Sequence, residues 1–151
     1  MIRILIFNIF SSNTNIIMNF IKGVGVDIAK IPRFKRIIES HESSFIRKIL
    51  HANEIKEYNE IKLIDSKTKY LASRWSLKEA LVKATGNKSL IFSKIYLEKN
   101  KDGKPFVKFD EKYLEENSQF KEIDGKIHIS ISHEDDYAVA FVIIENINKM
   151  I

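Results

Sequence analysis

The sequence predicts an α+β fold organised around one long helix, and three observations carry that expectation. Residues 74–84, Arg-Trp-Ser-Leu-Lys-Glu-Ala-Leu-Val-Lys-Ala, are rich in strong helix formers and meet no Gly or Pro before Gly86. Residues 23–28 and 126–133 alternate in the period-two manner of strands, and residues 137–144 are dense in Val, Ile, Phe and Ala. Residues 95–98 and 105–109 read as strands joined across Asn100-Lys101-Asp102-Gly103-Lys104, a hairpin turn signal.

The long helix has Asp65 or Ser66 as its expected N-cap, and Gly86 can supply the left-handed residue that ends it. On it Leu77, Leu81 and Ala84 form an apolar stripe, and Trp75, Glu79 and Lys83 follow at steps of four on the neighbouring stripe. Glu79 is thus one turn from a cation and one turn from an indole. Taken alone, Glu79 and Lys83 read as a solvated helix pair, worth about 0.2–0.5 kcal/mol.

The N-terminal residues 1–17 open with an apolar run too short to span a bilayer and lacking a signal-peptide cleavage site. They are expected to be a dispensable extension or leader remnant, with the domain proper covering residues 18–151. In Gly23-Val24-Gly25-Val26-Asp27-Ile28, Val24, Val26 and Ile28 share one face; Gly23, Gly25 and Asp27 share the other. Two glycines beside a carboxylate leave bare backbone that a ligand can approach, or else mark a strand end with a turn-forming Asp. The third glycine of a dinucleotide fingerprint is missing.

Pro32 suits a helix start, with Arg33 and Arg36 on one side at a step of three and Phe34, Ile37 and Ile38 on the other. A second short helix is expected over residues 44–50, carrying Arg47, and a third from Asn53 as its cap. A further short helix is expected over residues 111–116. Ile127, Ile129 and Ile131 are expected to face the core, and His133 ends that strand at the rim. The near-continuous apolarity of residues 137–144 predicts burial on both faces, or one face against another subunit.

Composition bounds the rest. The chain has 151 residues, 44% hydrophobic and 30% charged, enough for one domain with a core of its own. The absence of cysteine excludes disulfides and thiolate chemistry, so any metal must take oxygen or imidazole ligands. The formal charge of +5 favours an anionic partner without choosing one.

Three motifs in order choose further. Gly-x-Gly-x-Asp at residues 23–27, Arg-x-x-x-Lys-Glu-Ala-x-x-Lys-Ala at residues 74–84 and Ser-x-Ser-His at residues 130–133 together resemble the holo-acyl-carrier-protein synthases. These are the small single-domain class of 4'-phosphopantetheinyl transferases. Ile31 with Arg33, and Tyr137-Ala138, extend the resemblance, which spans about residues 18–144. Trp75-Ser76-Leu77 stands where the family usually has Phe-Ala-Ala, and Gly86-Asn87-Lys88 where it has Gly-Thr-Gly. Lys88 is expected to substitute a side chain for close backbone approach to the cofactor.

The resemblance implies an antiparallel sheet packed on the long helix, the 4'-phosphopantetheinyl transferase fold. It also implies transfer of phosphopantetheine from coenzyme A to a serine of apo acyl carrier protein, releasing adenosine 3',5'-bisphosphate, with Mg²⁺ as cofactor. On the matched positions, Asp27 and Glu79 would hold Mg²⁺, with Asp27 also the candidate base. Lys83 would lie against the diphosphate, and Arg74, Gly86 and His133 would contact the nucleotide. Acyl carrier proteins are acidic, so Arg33, Arg36 and Arg47 would face that partner. The family implies a homotrimer, with no nucleic acid or membrane among its partners, in the cytoplasm or in a plastid or mitochondrion. The alternative of a different class is a basic nucleic-acid-binding module, supported by charge and by ten Phe and five Tyr. It lacks a recognisable aromatic strand motif or helix-turn-helix and leaves Asp27 and Glu79 unexplained.

Overall fold

The structure, a computed structural model, describes residues 17–123 and 126–149. The extension expected over residues 1–17 therefore lies outside the described residues, save for Ile17, which is already part of a strand. In chain order the elements are β1 (Ile17–Lys30), α1 (Ile31–Ile49), α2 (Ala52–Glu60), α3 (Ile64–Thr85), a one-turn 3₁₀ helix (Phe92–Lys94), β2 (Ile95–Lys99), β3 (Pro105–Phe109), α4 (Glu111–Glu116), α5 (Ser118–Lys121), β4 (Ile127–Glu134) and β5 (Tyr137–Lys149). The expected α+β class is the observed one. The strands form two antiparallel sheets, one of order β1-β5-β4 and a separate β2-β3 hairpin. No helix among the described residues is long and apolar enough to cross a membrane.

α3 is the organising helix. Leu77, Leu81 and Ala84 are buried as the apolar stripe required, and Gly86 ends the helix with φ of 67°. The expected cap is wrong: α3 begins one residue before Asp65, at Ile64, its N-cap is Leu63, and no side chain caps it. Asp65 instead lies in the first turn, where a carboxylate meets the positive end of the helix dipole. The cap of α2 also differs. His51, not Asn53, takes that role, its Nδ1 accepting from Asn53 N while Glu54 Oε2 accepts from His51 N. Such reciprocal capping works with any acceptor side chain of the right reach, and imidazole supplies one here. The helices expected at Pro32 and at residues 44–50 are one element, α1, broken at His41 (φ −140°, ψ 22°). α5 was not foreseen; four residues are too few to show a period.

β1 lies on α3 through its glycines. A Cβ added to Gly25 would stand 1.9 Å from Ala80 O and 2.7 Å from Ala84 N, and one on Gly23 would stand 1.9 Å from Ala84 O. What approaches this bare backbone is therefore the backbone of α3. The space read from sequence as open to a ligand is filled by the helix at both glycines. The same inner face carries Ala140 and Val142 of β5, paired with Asp27 and Gly25 and fully buried. The outer face is apolar and open: Val24, Val26 and Ile28 are 50%, 52% and 63% exposed, beside Phe141 of β5 at 40%. The alternation read in β4 is observed, with Ile127 buried, Ile129 and Ile131 partly buried and the residues between them exposed.

Gly25→Ala tests the seating of β1. Overpacking of this kind costs about 1–3 kcal/mol or more, because the atoms met are backbone and cannot rotate away. Urea unfolding of the variant should show that loss; unchanged stability would mean that β1 does not rest on α3 at this point.

Candidate active site

The seating of β1 sets the level of Asp27. Gly23 meets α3 at Ala84 and Gly25 meets it at Ala80, so the strand runs back toward the N-terminus of the helix. Helical side chains lean the same way, so that Lys83 reaches back toward the strand. Its Nζ donates to Asp27 Oδ1 and to Val26 O, both at 2.8 Å. Asp27 is mostly shielded, its side chain 15% exposed, whereas Lys83 is half exposed. The helix pair of Glu79 with Lys83 is not formed. Glu79, half-buried, makes no hydrogen bond or ion pair among the described residues. No group of three or more acidic or His ligands occurs among the described residues, so any ion held here would rest on two carboxylates at most.

Arg74 belongs to a second group, one turn of α3 further back. Its Nε lies 3.0 Å from Oε1 of the fully buried Glu54, off the line of a good hydrogen bond, and its Nη2 lies 3.3 Å from Glu57 Oε2. The guanidinium also stacks on Tyr70, 4.2 Å from the ring centre. Glu54 is the hub. Besides Arg74 it accepts from Lys78 Nζ at 2.5 Å, from His51 N and from Leu97 N. Lys78 is fully buried and donates also to Ile49 O and Phe92 O. Burial pushes its ammonium down to about 8, against the pull of Glu54. Burial likewise lowers His51, with Asp110 opposing.

Arg74 opens into a cleft of about 680 Å³, whose lining includes Ser66, Lys69, Ser73, Lys99 and His133. The structure thus brings Arg74 and His133 to one cleft, and Asp27 and Lys83 to one ion pair. Glu79 stands between the two groups on α3. Gly86 is in the loop at the helix end, where Asn87 Oδ1 accepts from Ser89 N and Oγ and Thr85 Oγ1 accepts from Asn87 N. Lys88 is exposed on that self-braced turn. On α1, the exposed Arg33 lays its guanidinium over the Phe34 and Trp75 rings at 5.6 and 5.2 Å. Arg36 and Arg47 point to solvent.

Residues 23–142 match the family model of the 4'-phosphopantetheinyl transferase superfamily. The chain belongs to that superfamily. A holo-[acyl-carrier-protein] synthase of Buchnera aphidicola (strain Tuc7) is 41% identical over 128 residues, covering 82% of this chain and 97% of that protein. Among solved structures, the acyl carrier protein synthase of Plasmodium yoelii with ADP bound has a TM-score of 0.75 at 27% identity, covering 87% of this chain and 99% of that one. A holo-(acyl-carrier-protein) synthase of Bacillus anthracis, in complex with CoA (3',5'-ADP), has a TM-score of 0.66 at 28% identity, covering 83% and 97%.

The superfamily match takes in Asp27, Arg74, Glu79, Lys83, Gly86 and His133. Reading by sequence missed Glu54, Glu57 and Tyr70 and gave Lys78 no role. Signals for two of them exist. His51-x-x-Glu54 has the spacing of a capping box, and Lys78 sits seven residues after Leu71 and three before Leu81, on the buried stripe.

Proposed function

We propose that this chain transfers 4'-phosphopantetheine from coenzyme A to a serine of apo acyl carrier protein, giving holo carrier protein and adenosine 3',5'-bisphosphate. The observation that carries the reading lies on α3 and β1: a carboxylate–ammonium pair, Asp27–Lys83, whose lysine is one helical turn from a carboxylate, Glu79, that no cation of the described residues satisfies. The superfamily match and its holo-synthase relatives support the choice of substrates, and decide against the nucleic-acid-binding alternative. In the reaction the serine Oγ bonds to the phosphorus bearing pantetheine, the bond from that phosphorus to the bridging oxygen breaks, and the oxygen leaves with the electron pair as part of adenosine 3',5'-bisphosphate.

Asp27 and Glu79 fit Mg²⁺, which characteristically takes one or two carboxylates and completes its shell with water and substrate phosphate. Bound there, the ion would neutralise charge on the diphosphate oxygens. Asp27 is the candidate to take the serine proton, directly or through a water. Lys83, half exposed, can exchange its carboxylate partner for the diphosphate and stabilise charge developing on the leaving group. Arg74 and His133 share a cleft and supply donors for the nucleotide phosphates, with the Gly86 loop as a further contact.

Glu79→Gln keeps shape and helix propensity but removes the charge a hard cation needs. Both Glu79→Gln and Asp27→Asn should keep their thermal midpoints within a few degrees, lose most turnover and need far more Mg²⁺ to recover any. Turnover against Mg²⁺ concentration, with coenzyme A and apo carrier protein, is the measurement. Normal turnover in Glu79→Gln would end the metal reading.

Acidic carrier protein is assigned to the basic surface of α1, with Arg33, Arg36 and Arg47 as its contacts. Because Arg33 also packs on Trp75, Arg36→Glu is the cleaner probe. It should raise KM for carrier protein several-fold and leave KM for coenzyme A nearly unchanged, since rim charges steer encounter. Equal damage to both would remove Arg36 from docking.

The open apolar face of β1 and β5 is assigned to other copies of this chain, three in the assembly. Val24, Val26, Ile28 and Phe141 form a contiguous patch of the kind that marks interaction surfaces. Sedimentation velocity should find a species of three chains, and Val26→Glu should shift it toward one. A wild-type chain that sediments singly would refute the assignment.

A further inference from the structure

Arg74 is held at two edges by carboxylates in very different settings. Glu54, on the inner edge, is fully buried and spends its oxygens on Lys78, two backbone N–H groups and Arg74 Nε. It cannot leave without exposing buried cations to a medium that does not solvate them. Glu57, on the outer edge, is half exposed, lines the cleft and touches Nη2 at 3.3 Å. Tyr70 fixes it there: the phenol donates to Glu57 Oε2 at 2.8 Å, with Glu54 O as a second acceptor at 3.1 Å. Charges in the cluster balance as well. Arg74 and Lys78 carry two positive charges, Glu54 cancels one, and Glu57 cancels the other from the solvent side.

We propose that Glu57 is a placeholder: it occupies the outer edge of Arg74 in the free protein and is displaced by a phosphate group of the incoming nucleotide. Glu54 is the fixed positioning residue that keeps the guanidinium aimed at the cleft. The inference rests on the reading that Arg74 binds a nucleotide phosphate. The chemistry is that of exchange. A carboxylate and a phosphate oxygen make the same charge-assisted bond to a guanidinium edge, but phosphate brings more charge and more acceptors. With Glu54 immovable, only the outer contact can be exchanged. Glu57 thereby sets the affinity of the cleft, holding Arg74 in place when empty and opposing any anion that enters.

A carboxylate that merely supported Arg74 would weaken binding when neutralised; a placeholder predicts the opposite. Calorimetric titration of the full chain with adenosine 3',5'-bisphosphate at low salt should find Glu57→Gln binding about fivefold more tightly than wild type, the scale of one charge at contact distance in a solvated setting. The gain should shrink as salt is raised and should vanish in an Arg74→Gln background. If Arg74→Gln weakens the ligand but Glu57→Gln binds equally or less tightly than wild type, the placeholder is refuted while the phosphate role of Arg74 stands. If Arg74→Gln leaves affinity unchanged, the phosphate role itself falls and takes the placeholder with it. A gain in Glu57→Gln that persists without Arg74 would also overturn the inference, as a general charge effect.

Discussion

The backbone-to-backbone seating of β1 on α3 is the constraint on which the rest depends. Two positions without side chains let a strand lie directly on a helix whose facing residues are the small Ala80 and Ala84. That contact fixes the spacing of sheet and helix and sets the direction in which β1 runs along the helix. It delivers Asp27 to the level at which Lys83 reaches it, so an ion pair separated by 56 residues in sequence is aligned by the absence of two Cβ atoms. A wider separation would carry Asp27 away from the turn that bears Glu79 and Lys83.

A second constraint is electrostatic. Glu54 and Lys78 are both fully buried, and burying an ion is costly unless its partner and remaining hydrogen bonds are supplied. Here each is satisfied several times over, and breaking such a pair by removing one partner typically costs about 3–5 kcal/mol. Through Glu54 the network ties α2 to α3 and β2, and through Lys78 it ties them to the carbonyl ending α1. Its outermost member is Arg74. The inner structure of the molecule therefore extends, through one guanidinium, to the wall of the cleft.

These two constraints act on opposite sides of α3. Along β1 the helix presents Glu79 and Lys83; toward α2 and β2 it presents Arg74 and Lys78. A uniformly amphipathic helix could not do this, and α3 accordingly buries Ser73, Ser76 and Lys78 among its apolar residues. The sheet it carries is buried on one face only. The other carries the exposed apolar side chains of Val24, Val26, Ile28 and Phe141 on β1 and β5, and these have no covering element among the described residues.

The sequence by itself determined what depends on neighbours along the chain. Helix-forming composition ending at Gly86, the alternation of β4 and the Asn100–Lys104 turn named elements correctly, because period and turn chemistry are local. The ordered motifs determined the superfamily. Capping was misjudged at Leu63 and His51, since an uncapped start and an imidazole cap are not the usual solutions. Only the tertiary structure decided what the glycines are for, that Lys83 turns from Glu79 to Asp27, and that Glu54 meets Lys78 across 24 residues. The physical reason is the same in each case. A charged side chain or a bare Cα reads alike in sequence wherever it lies, and its role is set by which distant atom the fold brings within a few ångströms.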